Sequence, residues 1–228
     1  MVHDRTLAID ARRIYYDHEQ VYRRIASAGG RGWDDLTPDI DQESYLALDD
    51  FLKSEYAPRR GDAVLDVGCG GGQAGLRVAK GTPGCRLFGV DYSETAVELA
   101  RANAVSEGIV ARFERRDAVD LGEIGPFDVV LDNHLLHCLV GPDRGRALAQ
   151  IRHVLRPGGT LFLETMTCEG GLDAVGLDAD PVTRVARNGS RFWVSREELE
   201  AELTRAGFVI AAIELRIRGG HTLVVWAR

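Results

Sequence analysis

The chain lacks the features that mark secreted, membrane-spanning and nucleic-acid-binding proteins. Its four cysteines form no C-x-x-C pair, and Met1–Asp10 has no apolar signal-peptide core, so we expect a reduced, cytoplasmic protein. No apolar run approaches the roughly 20 residues that span a bilayer, so we expect no membrane contact. The formal net charge is -7, and the basic residues lie in short runs. Because nucleic-acid affinity depends on clustered Lys and Arg, we expect no nucleic-acid partner.

The composition fits a single soluble domain. Of the 228 residues, 45% are hydrophobic and 28% are charged, which is ordinary for a globular protein. The length allows one α/β domain with an extra segment and a core that needs no disulfides. We therefore predict a helical cap over residues 1–41 and one domain over residues 42–228.

The stretch Ala63–Gly75, AVLDVGCGGGQAG, predicts a strand, a tight turn and a helix. Its apolar start carries one acid, Asp66, and a helix-compatible run follows the turn over Gln73–Lys80. A buried apolar strand flanked by helices points to an α/β layered fold. Glycine allows positive φ angles and the close approach of a ligand to the backbone. The glycines of the turn are Gly68, Gly70, Gly71 and Gly72.

Two nucleotide-binding patterns compete for this turn. The dinucleotide fingerprint G-x-G-x-x-G, started at Gly68, requires a glycine where the chain has Gln73. Started at Gly70, it fits only by opening two residues after the strand end. The alternative pattern, acid-x-Gly-x-Gly-x-Gly, is met in full from Asp66 to Gly72. It resembles the first motif of the Rossmann-like S-adenosylmethionine-dependent methyltransferases.

Two further acids follow predicted strands. Asp91 comes after the strand Arg86–Val90, about 20 residues beyond the turn, where a carboxylate can accept hydrogen bonds from both ribose hydroxyls. Both families use this acid, so it indicates a nucleoside without choosing between them. Asp117 comes after the strand Ala111–Arg116. The methyltransferase resemblance implies that Asp117, followed by the small Ala118, takes the amino group of adenine.

The lead-in to the fifth strand favours methyl transfer. The run Leu155–Gly159, LRPGG, predicts a helix stop and a turn before the strand Thr160–Glu164. This turn is frequent in the methyltransferases and absent from the dehydrogenase fingerprint. The fourth predicted strand, Pro126–Leu131, runs into DNHLLHCL, which resembles the fourth motif of the family.

The end of the chain predicts a capped helix and a hairpin. Ser195 and Glu198 form the sequence pattern of a capping box at the start of the helix Glu197–Ala206. Phe208–Ile217 and Thr222–Ala227 follow as closing strands. The resemblance then covers about residues 42 to 228 and implies a doubly wound, mostly parallel seven-stranded sheet with an antiparallel last strand.

The resemblance also implies the reaction. S-adenosylmethionine would be the cofactor and S-adenosylhomocysteine the product, with the methyl group passing to an O or N atom, less often C, of a small-molecule substrate. A monomer or a homodimer is expected. The residues placed at the cofactor are Asp66, Gly68, Cys69, Gly70, Gly72, Asp91, Tyr92, Asp117, Ala118 and Asn133.

Two histidines that follow the fourth strand, His134 and His137, are the candidate catalytic residues. A neutral imidazole can take a proton from a hydroxyl or an amine near pH 7. In the family, a histidine often stands at the position of His137 whatever the substrate, which fits a structural role. His134 is therefore the better candidate for a residue that serves one particular acceptor. A metal held by these residues with Cys138, His221 or Glu164 is the less favoured alternative, because no second Cys or His group stands at zinc spacing. No metal is expected.

Two segments are candidates for acceptor binding. Asp4–Ala28 has a helical period and precedes a loop over Arg31–Ile40, and the irregular stretch 165–194 predicts a functional loop or lid. In family members that act on small molecules, such an N-terminal segment often closes over the substrate. Packing onto the core is an equally good interpretation. The candidate pocket residues are Tyr15, Tyr16, Tyr22, Trp33, His134 and His137.

Two other functions stay open at this point. One is a nucleoside-binding scaffold or cofactor sensor without turnover, and the other is an NAD-dependent dehydrogenase. Intact motif residues count against lost cofactor binding, but they do not establish turnover. The identity of the acceptor has no motif in the sequence.

Overall fold

A computed structural model describes residues 17–36, 38–169, 171, 180, 185, 191–216 and 222–228, with the backbone alone over 38–44. Tyr15, Tyr16 and His221 lie outside this part of the chain, and so does most of the stretch 165–194. What the sequence predicts for these positions therefore stays a prediction.

A sheet lies at the centre of the fold. Its strands are β1 (Ala63–Val67), β2 (Arg86–Asp91), β3 (Ala111–Arg115), β4 (Phe127–Asn133), β5 (Leu155–Met166), β6 (Ile210–Arg216) and β7 (Thr222–Ala227). The seven strands follow the order β3-β2-β1-β4-β5-β7-β6. β7 runs antiparallel to β5 and β6, and the other neighbouring pairs are parallel. The predicted sheet with an antiparallel last strand is confirmed.

Helices pack on both faces of this sheet. They are α1 (His18–Ser27), α2 (Pro38–Lys53), α3 (Gln73–Gly81), α4 (Glu94–Ser106), α5 (Pro142–Val154) and α6 (Arg196–Arg205). β1 is buried along its whole length, as expected of a parallel strand covered on both faces. The predicted capping box is confirmed at α6, where Ser195 and Glu198 each bond the backbone N–H of the other.

The predicted N-terminal boundary is displaced. α2 begins at Pro38 rather than Gln42, because proline is favoured at the first helical position, where its missing N–H is not needed. The predicted loop Arg31–Ile40 is therefore wrong over residues 38–40, which are helical. Its first part contains a 3-10 turn over Trp33–Asp35. The division after residue 41 falls inside α2. A separate cap over residues 1–41 stays a prediction.

The predicted turn Leu155–Gly159 lies inside the pairing of β4 with β5. Leu155 pairs with Phe127, and the next pair joins Thr160 to Val129. The residues between these two pairs of β5 outnumber those of β4, so the register shifts there. Gly158 lies in this irregular segment and has a φ of 76°. Glycine takes this left-handed conformation without a steric penalty, so the LRPGG run both ends α5 and turns the chain into the sheet.

Two hydrophobic clusters form the core, one on each face. Along β5, Leu161 belongs to the cluster that packs α5 and α6 against the sheet, through residues such as Leu148. The next residue, Phe162, belongs to the cluster under α2, α3 and α4, where its ring lies 5.0 Å from that of Phe51. Within the described residues, no helix is both long and apolar enough to cross a membrane.

The carboxyl ends of the parallel strands meet along one edge of the sheet, and α1 lies against this edge. α1 packs on α4 through Val21, Tyr22 and Ile25, which surround Ala96. The strand order reverses between β1 and β4, and doubly wound sheets bind ligands at such a point. The fold therefore places the candidate site where the glycine turn and the end of β4 face α1.

Candidate functional site

The glycine turn after β1 is drawn toward the end of β2. The backbone N–H groups of Gly68 and Cys69 donate to the carbonyl of Val90 at 2.8 and 3.0 Å. Gly68 and Gly70 have φ angles of 70° and 52°, which glycine adopts readily. A side chain added at Gly68 would press on Leu135 at 2.9 Å, and one at Gly70 would collide with the Tyr22 hydroxyl. The missing side chains thus let the β4 loop and α1 approach the turn.

Asp91 at the end of β2 is bonded to the glycine turn. Its Oδ2 accepts from the Gly70 N–H at 2.9 Å, and its Oδ1 accepts from the Ser93 N–H at 2.9 Å. Burial raises the pKa of Asp91, while these backbone hydrogen bonds oppose the rise. Each carboxylate oxygen can accept a further hydrogen bond. Asp91 is therefore placed to hold a ligand with paired hydroxyls beside the turn.

Asp66 contacts the protein itself. It is 1% exposed, and its Oδ2 accepts from the Gly75 N–H at 2.9 Å, which fastens α3 to β1. Burial raises its pKa to about 7. The acid of the glycine motif thus shapes the turn, and its predicted cofactor contact stays a prediction.

The other predicted cofactor residues differ in exposure. Asp117 follows β3 and closes a local turn by accepting from the Val119 N–H at 3.1 Å, and the neighbouring Ala118 is buried. Tyr92 is exposed, with the Arg115 guanidinium 5.3 Å from its ring centroid. Cys69 is a buried free thiol whose pKa is raised by burial.

The end of β4 forms a tight turn that carries both candidate catalytic residues. Asp132 is fully buried, and its Oδ1 accepts from the N–H groups of Leu135 and Leu136 at 2.8 and 3.2 Å. His134 has a φ of 73°, the only positive φ among the described non-glycine residues. Such a conformation costs energy and concentrates at functional sites. A 3-10 turn over Leu136–Cys138 follows.

The structure brings His134 and His137 together. Their ring centroids lie 5.3 Å apart, and His137 is 1% exposed whereas the His134 side chain keeps 23% of its surface exposed. Burial and the nearby Arg191 charge lower the pKa of His134 to about 4, and burial with Arg191 and other nearby cations lowers the pKa of His137 well below its usual value. Both imidazoles are therefore neutral at pH 7, and His134 is the one that a small molecule can reach.

Arg144 fixes this turn from α5, and the sequence reasoning missed it. Its side chain is 2% exposed. Its Nη1 donates to the Leu136 carbonyl at 2.7 Å, and its Nη2 donates to Glu202 Oε2 at 2.7 Å. A buried arginine that satisfies a turn carbonyl and a carboxylate together holds both in one geometry.

Residues 17–36, here called the N-terminal cover, are joined to the glycine turn by a second set of polar contacts. Glu19 accepts from the hydroxyls of Ser93 and Thr95 at 2.6 and 2.7 Å. The Asn103 amide donates to the carbonyls of Arg31 and Gly71, both at 2.8 Å. The sequence reasoning missed Glu19 and Asn103, because their partners lie far away along the chain.

The predicted pocket aromatics Tyr22 and Trp33 lie at different parts of the site. Their ring centroids are 6.1 Å apart. Tyr22 is buried, with its hydroxyl over Gly70 and its pKa raised by burial and by Asp91. Trp33 lies under the Arg191 guanidinium, 5.3 Å from the ring centroid. Tyr22 thus faces the glycine turn, and Trp33 lies beside the cation that acts on both histidines.

In the part of the chain that the structure describes, no three His, Cys, Asp or Glu side chains are grouped as metal ligands. Glu164 lies near His134, with Oε1 3.8 Å from Nε2. His221, the other partner considered for a metal, is outside the described residues.

Comparison with known proteins finds one recurrent activity. A family model described as a methyltransferase domain matches residues 58–207. The 27-O-demethylrifamycin SV methyltransferase of Amycolatopsis mediterranei is 35% identical over 77% of this chain and 64% of its own length. The ubiquinone biosynthesis O-methyltransferase of Xanthomonas axonopodis pv. citri is 28% identical over 83% of this chain and 80% of its own length. The chain thus spans slightly less than two thirds of the first relative.

Solved structures share the fold. The PH0226 protein from Pyrococcus horikoshii OT3 superposes with a TM-score of 0.70 at 21% identity, covering 82% of this chain and 90% of that one. The 1,6-didemethyltoxoflavin-N1-methyltransferase of Burkholderia thailandensis, solved with bound 1,6-didemethyltoxoflavin and S-adenosylhomocysteine, superposes with a TM-score of 0.68 at 23% identity, covering 92% and 86% of the two chains. At these identities the likeness is evidence for the fold.

Proposed function

The chain belongs to the methyltransferase-domain family, whose methyl donor is S-adenosylmethionine, and from this premise we propose that it methylates an oxygen or nitrogen atom of a small-molecule acceptor, with His134 as the general base. The family match over residues 58–207 includes the glycine turn, Asp91, Asp117 and both histidines. The observation that carries the role of His134 is its place at the end of β4, where the backbone has a positive φ and the imidazole is neutral and partly exposed.

The residues present fit the cofactor. The turn at Gly68 and Gly70 carries no side chains and has positive φ angles, so its backbone N–H and C=O groups are not covered by side chains of the turn itself. The carboxylate of Asp91 lies beside it with acceptor capacity for two ribose hydroxyls. At the end of β4, the buried amide oxygen of Asn133 has no hydrogen-bond partner among the described residues. Buried polar atoms in folded proteins are rarely left without a partner, which supports a ligand contact at Asn133.

We propose that these positions, with Asp117 and Ala118 at the end of β3, hold the cofactor. Asp66, Cys69, Gly72 and Tyr92 complete the predicted set, Asp66 by shaping the turn. We include Tyr22 of α1 in this proposed cofactor site, because its hydroxyl lies over Gly70.

The chemistry requires little beyond alignment and the removal of a proton. Bound S-adenosylmethionine supplies a methyl group on a positively charged sulfur, which is already activated for transfer. The protein must hold the acceptor in line with it. His134, neutral at pH 7 because burial and Arg191 lower its pKa, can accept the acceptor proton. His137, 1% exposed, supports the ring of His134 from inside the fold.

The acceptor enters, in this proposal, between His134 and the N-terminal cover. Trp33 and Arg191 bound this space on the side of the cover. The named relatives act on oxygen atoms by their names, which favours a hydroxyl acceptor. With a net charge of -7, a nucleic-acid acceptor is not proposed.

Calorimetry with S-adenosylhomocysteine tests the cofactor site. Asp91→Ala removes two charge-assisted hydrogen bonds, so we expect it to weaken binding by about 2 to 4 kcal/mol. Gly70→Ala, which places a methyl group against Tyr22 at a positive φ, should weaken binding as well. Asp49→Asn, in α2, is the matched charge control because its carboxylate pairs with Arg77 of α3. Wild-type affinity in Asp91→Ala would refute the assignment.

A further inference from the structure

Arg191 lies where the N-terminal cover meets the turn after β4. Its guanidinium carbon is 5.3 Å from the centroid of the Trp33 ring in the cover. The next residue, Phe192, donates its N–H to the His137 carbonyl at 2.7 Å, and its ring centroid lies 4.5 Å from the guanidinium carbon of Arg144. The backbone at Phe192 is therefore held against the turn that carries both histidines, and the Arg191 side chain reaches from there to the cover.

The charge of Arg191 acts on three groups of this turn. After burial, it is the next cause that lowers the pKa of His134 and of His137. At Cys138, burial raises the pKa to about 11, and Arg191 opposes that rise. Because the Coulomb energy between two charges falls with their distance, these three effects place the guanidinium close to the turn. Arginine keeps its charge in proteins, so this positive field is permanent.

Two carboxyl groups beside the same turn are less fully charged than the arginine. Burial raises the pKa of Asp132 to about 7, although two backbone N–H groups oppose the rise. Burial raises the pKa of Glu164 to about 7 as well, and both groups are therefore partly protonated at pH 7. A ligand that enters beside His134 thus lies in the field of the Arg191 cation.

The three side chains that bound the proposed acceptor space are all accessible. Trp33 and Arg191 are partly buried, and the His134 side chain keeps 23% of its surface exposed. A guanidinium carries five N–H donors in one plane, and a carboxylate takes two of them in a bidentate pair. Three donors then remain for contacts within the protein. Arg191 can therefore bind an anion and keep its place on the Trp33 ring.

We propose that the acceptor carries a carboxylate besides the group that is methylated, and that Arg191 determines this specificity by binding the carboxylate at the edge of the N-terminal cover. This inference rests on the proposed function, because it names the class of acceptor for the same site. One guanidinium matches the single charge and the two oxygens of a carboxylate. A phosphate dianion calls for a second cation, and Arg144 is already paired with Glu202.

An NMR titration with matched acids and amides tests this preference without a known acceptor. The chain has three tryptophans, and the indole N–H signal of Trp33 is assigned from its loss in Trp33→Phe. The probes are 3- and 4-hydroxybenzoate, each compared with the corresponding hydroxybenzamide, which has the same shape and no charge. We expect at least one acid to bind about tenfold more tightly than its amide, because only the carboxylate can form the bidentate pair. Equal affinities in both comparisons overturn the proposal.

Variants of Arg191 assign the preference to this residue. Arg191→Met keeps the length of the side chain and removes the charge, so it should weaken binding of the acid about tenfold and leave binding of the amide unchanged. Arg228→Met is the matched control, since Arg228 lies 4.6 Å from the Tyr56 ring centroid at the far end of β7. This control should keep the wild-type preference. A preference that survives in Arg191→Met refutes the role of Arg191.

Arg191→Lys provides a second variant should Arg191→Met fail to fold. Lysine keeps the charge and loses the planar fork, so the ratio of acid to amide affinity should fall severalfold without reaching one. A wild-type ratio in Arg191→Lys contradicts the bidentate pair. Calorimetry with S-adenosylhomocysteine separates the two proposals. A protein that does not bind it contradicts the proposed function, whereas a protein that binds it and treats acids and amides alike contradicts only the carboxylate site at Arg191.

Discussion

At the scale of single residues, the conformation of His134 links the backbone to the chemistry. A non-glycine residue at a φ of 73° costs about 1 to 3 kcal/mol, and such residues persist where the surroundings over-determine them. Asp132 caps the following turn, and the Glu164 carbonyl takes the His134 N–H. Histidine, asparagine and aspartate tolerate this region best among non-glycine residues. The position therefore admits few side chains, and histidine is the one that can act as a base near pH 7.

Replacing His134 tests the base at this scale. His134→Ala and His134→Asn should each lower kcat by about a hundredfold or more, because neither side chain accepts a proton near neutrality. Asparagine tolerates the left-handed backbone, which makes it the cleaner variant. Affinity for S-adenosylhomocysteine, measured by calorimetry, should stay at the wild-type value. Retention of most activity in His134→Asn would reduce the histidine to a positioning role.

The pH dependence of the wild type follows from the same residue. The pKa of His134 is lowered to about 4, so the base form is present above that value and is lost as pH falls through it. We expect the acid limb of kcat/KM to lie clearly below pH 6.5, the usual value for histidine. Circular dichroism at each pH checks that the protein stays folded. An acid limb at pH 6.5 that disappears in His134→Asn would contradict the lowered pKa.

At the scale of elements, α1 is attached to α4 by charge as well as by packing. Glu19 takes hydrogen bonds from Ser93 and Thr95 at the start of α4. A carboxylate at a helix N-terminus is further stabilised by the helix dipole. Partial burial alone would raise the pKa of Glu19, but the hydrogen bonds from Ser93, Thr95 and Arg23 outweigh it and lower the pKa to about 2. The contact is thus fully formed above about pH 4.5 and is lost as pH falls toward 2.

Glu19→Gln should loosen the N-terminal cover. The amide keeps the shape and loses the charge that accepts from Ser93 and Thr95, so amide hydrogen exchange in α1 should quicken by about tenfold at pH 7. Glu94→Gln, which changes a carboxylate that lies 3.8 Å from Arg101, is the matched control and should leave α1 unaffected. Bound S-adenosylhomocysteine should slow exchange in the wild-type cover. Equal exchange in wild type and Glu19→Gln would mean that apolar packing alone holds α1.

At the scale of the whole molecule, the sheet joins two clusters into one core. Leu161 and Phe162 are adjacent in β5 and belong to different clusters, because side chains alternate across a strand. Loss of packing on one face therefore weakens the strand that the other face needs. The N-terminal cover packs separately, on α4. We expect the two faces to unfold together.

Phe162→Ala tests this expectation. The ring is fully buried and lies 5.0 Å from Phe51, so its removal should lower the free energy of unfolding by about 3 to 5 kcal/mol. Val110→Ala, at a residue that is 95% exposed, should change it by less than about 0.5 kcal/mol. Tryptophan fluorescence and circular dichroism during denaturant unfolding should give coincident transitions in both variants. Two separate transitions would show that the faces unfold independently.

The sequence by itself determined the fold class, the order of the main elements and the capping box. These depend on short-range patterns: apolar runs that end in an acid, glycines directly after β1, and a serine with a glutamate after it. Each is encoded within a few residues, because backbone conformation and hydrogen bonding along the chain decide it. The start of α2 escaped the same reasoning because Pro38 was read as part of a loop.

Only the tertiary structure decided which distant side chains meet. Glu19 and Ser93 are 74 residues apart, and His134 meets Glu164 because β4 lies beside β5. Periodicity shows that a segment is a strand, but it does not name the neighbour of that strand or the helix above it. The carboxylate of Asp66 accepts from the Gly75 N–H inside the fold, a contact that the motif does not specify, and its place at the cofactor stays a prediction. The positive φ of His134 has the same origin, since the contacts that sustain it come from another strand and from the buried Asp132.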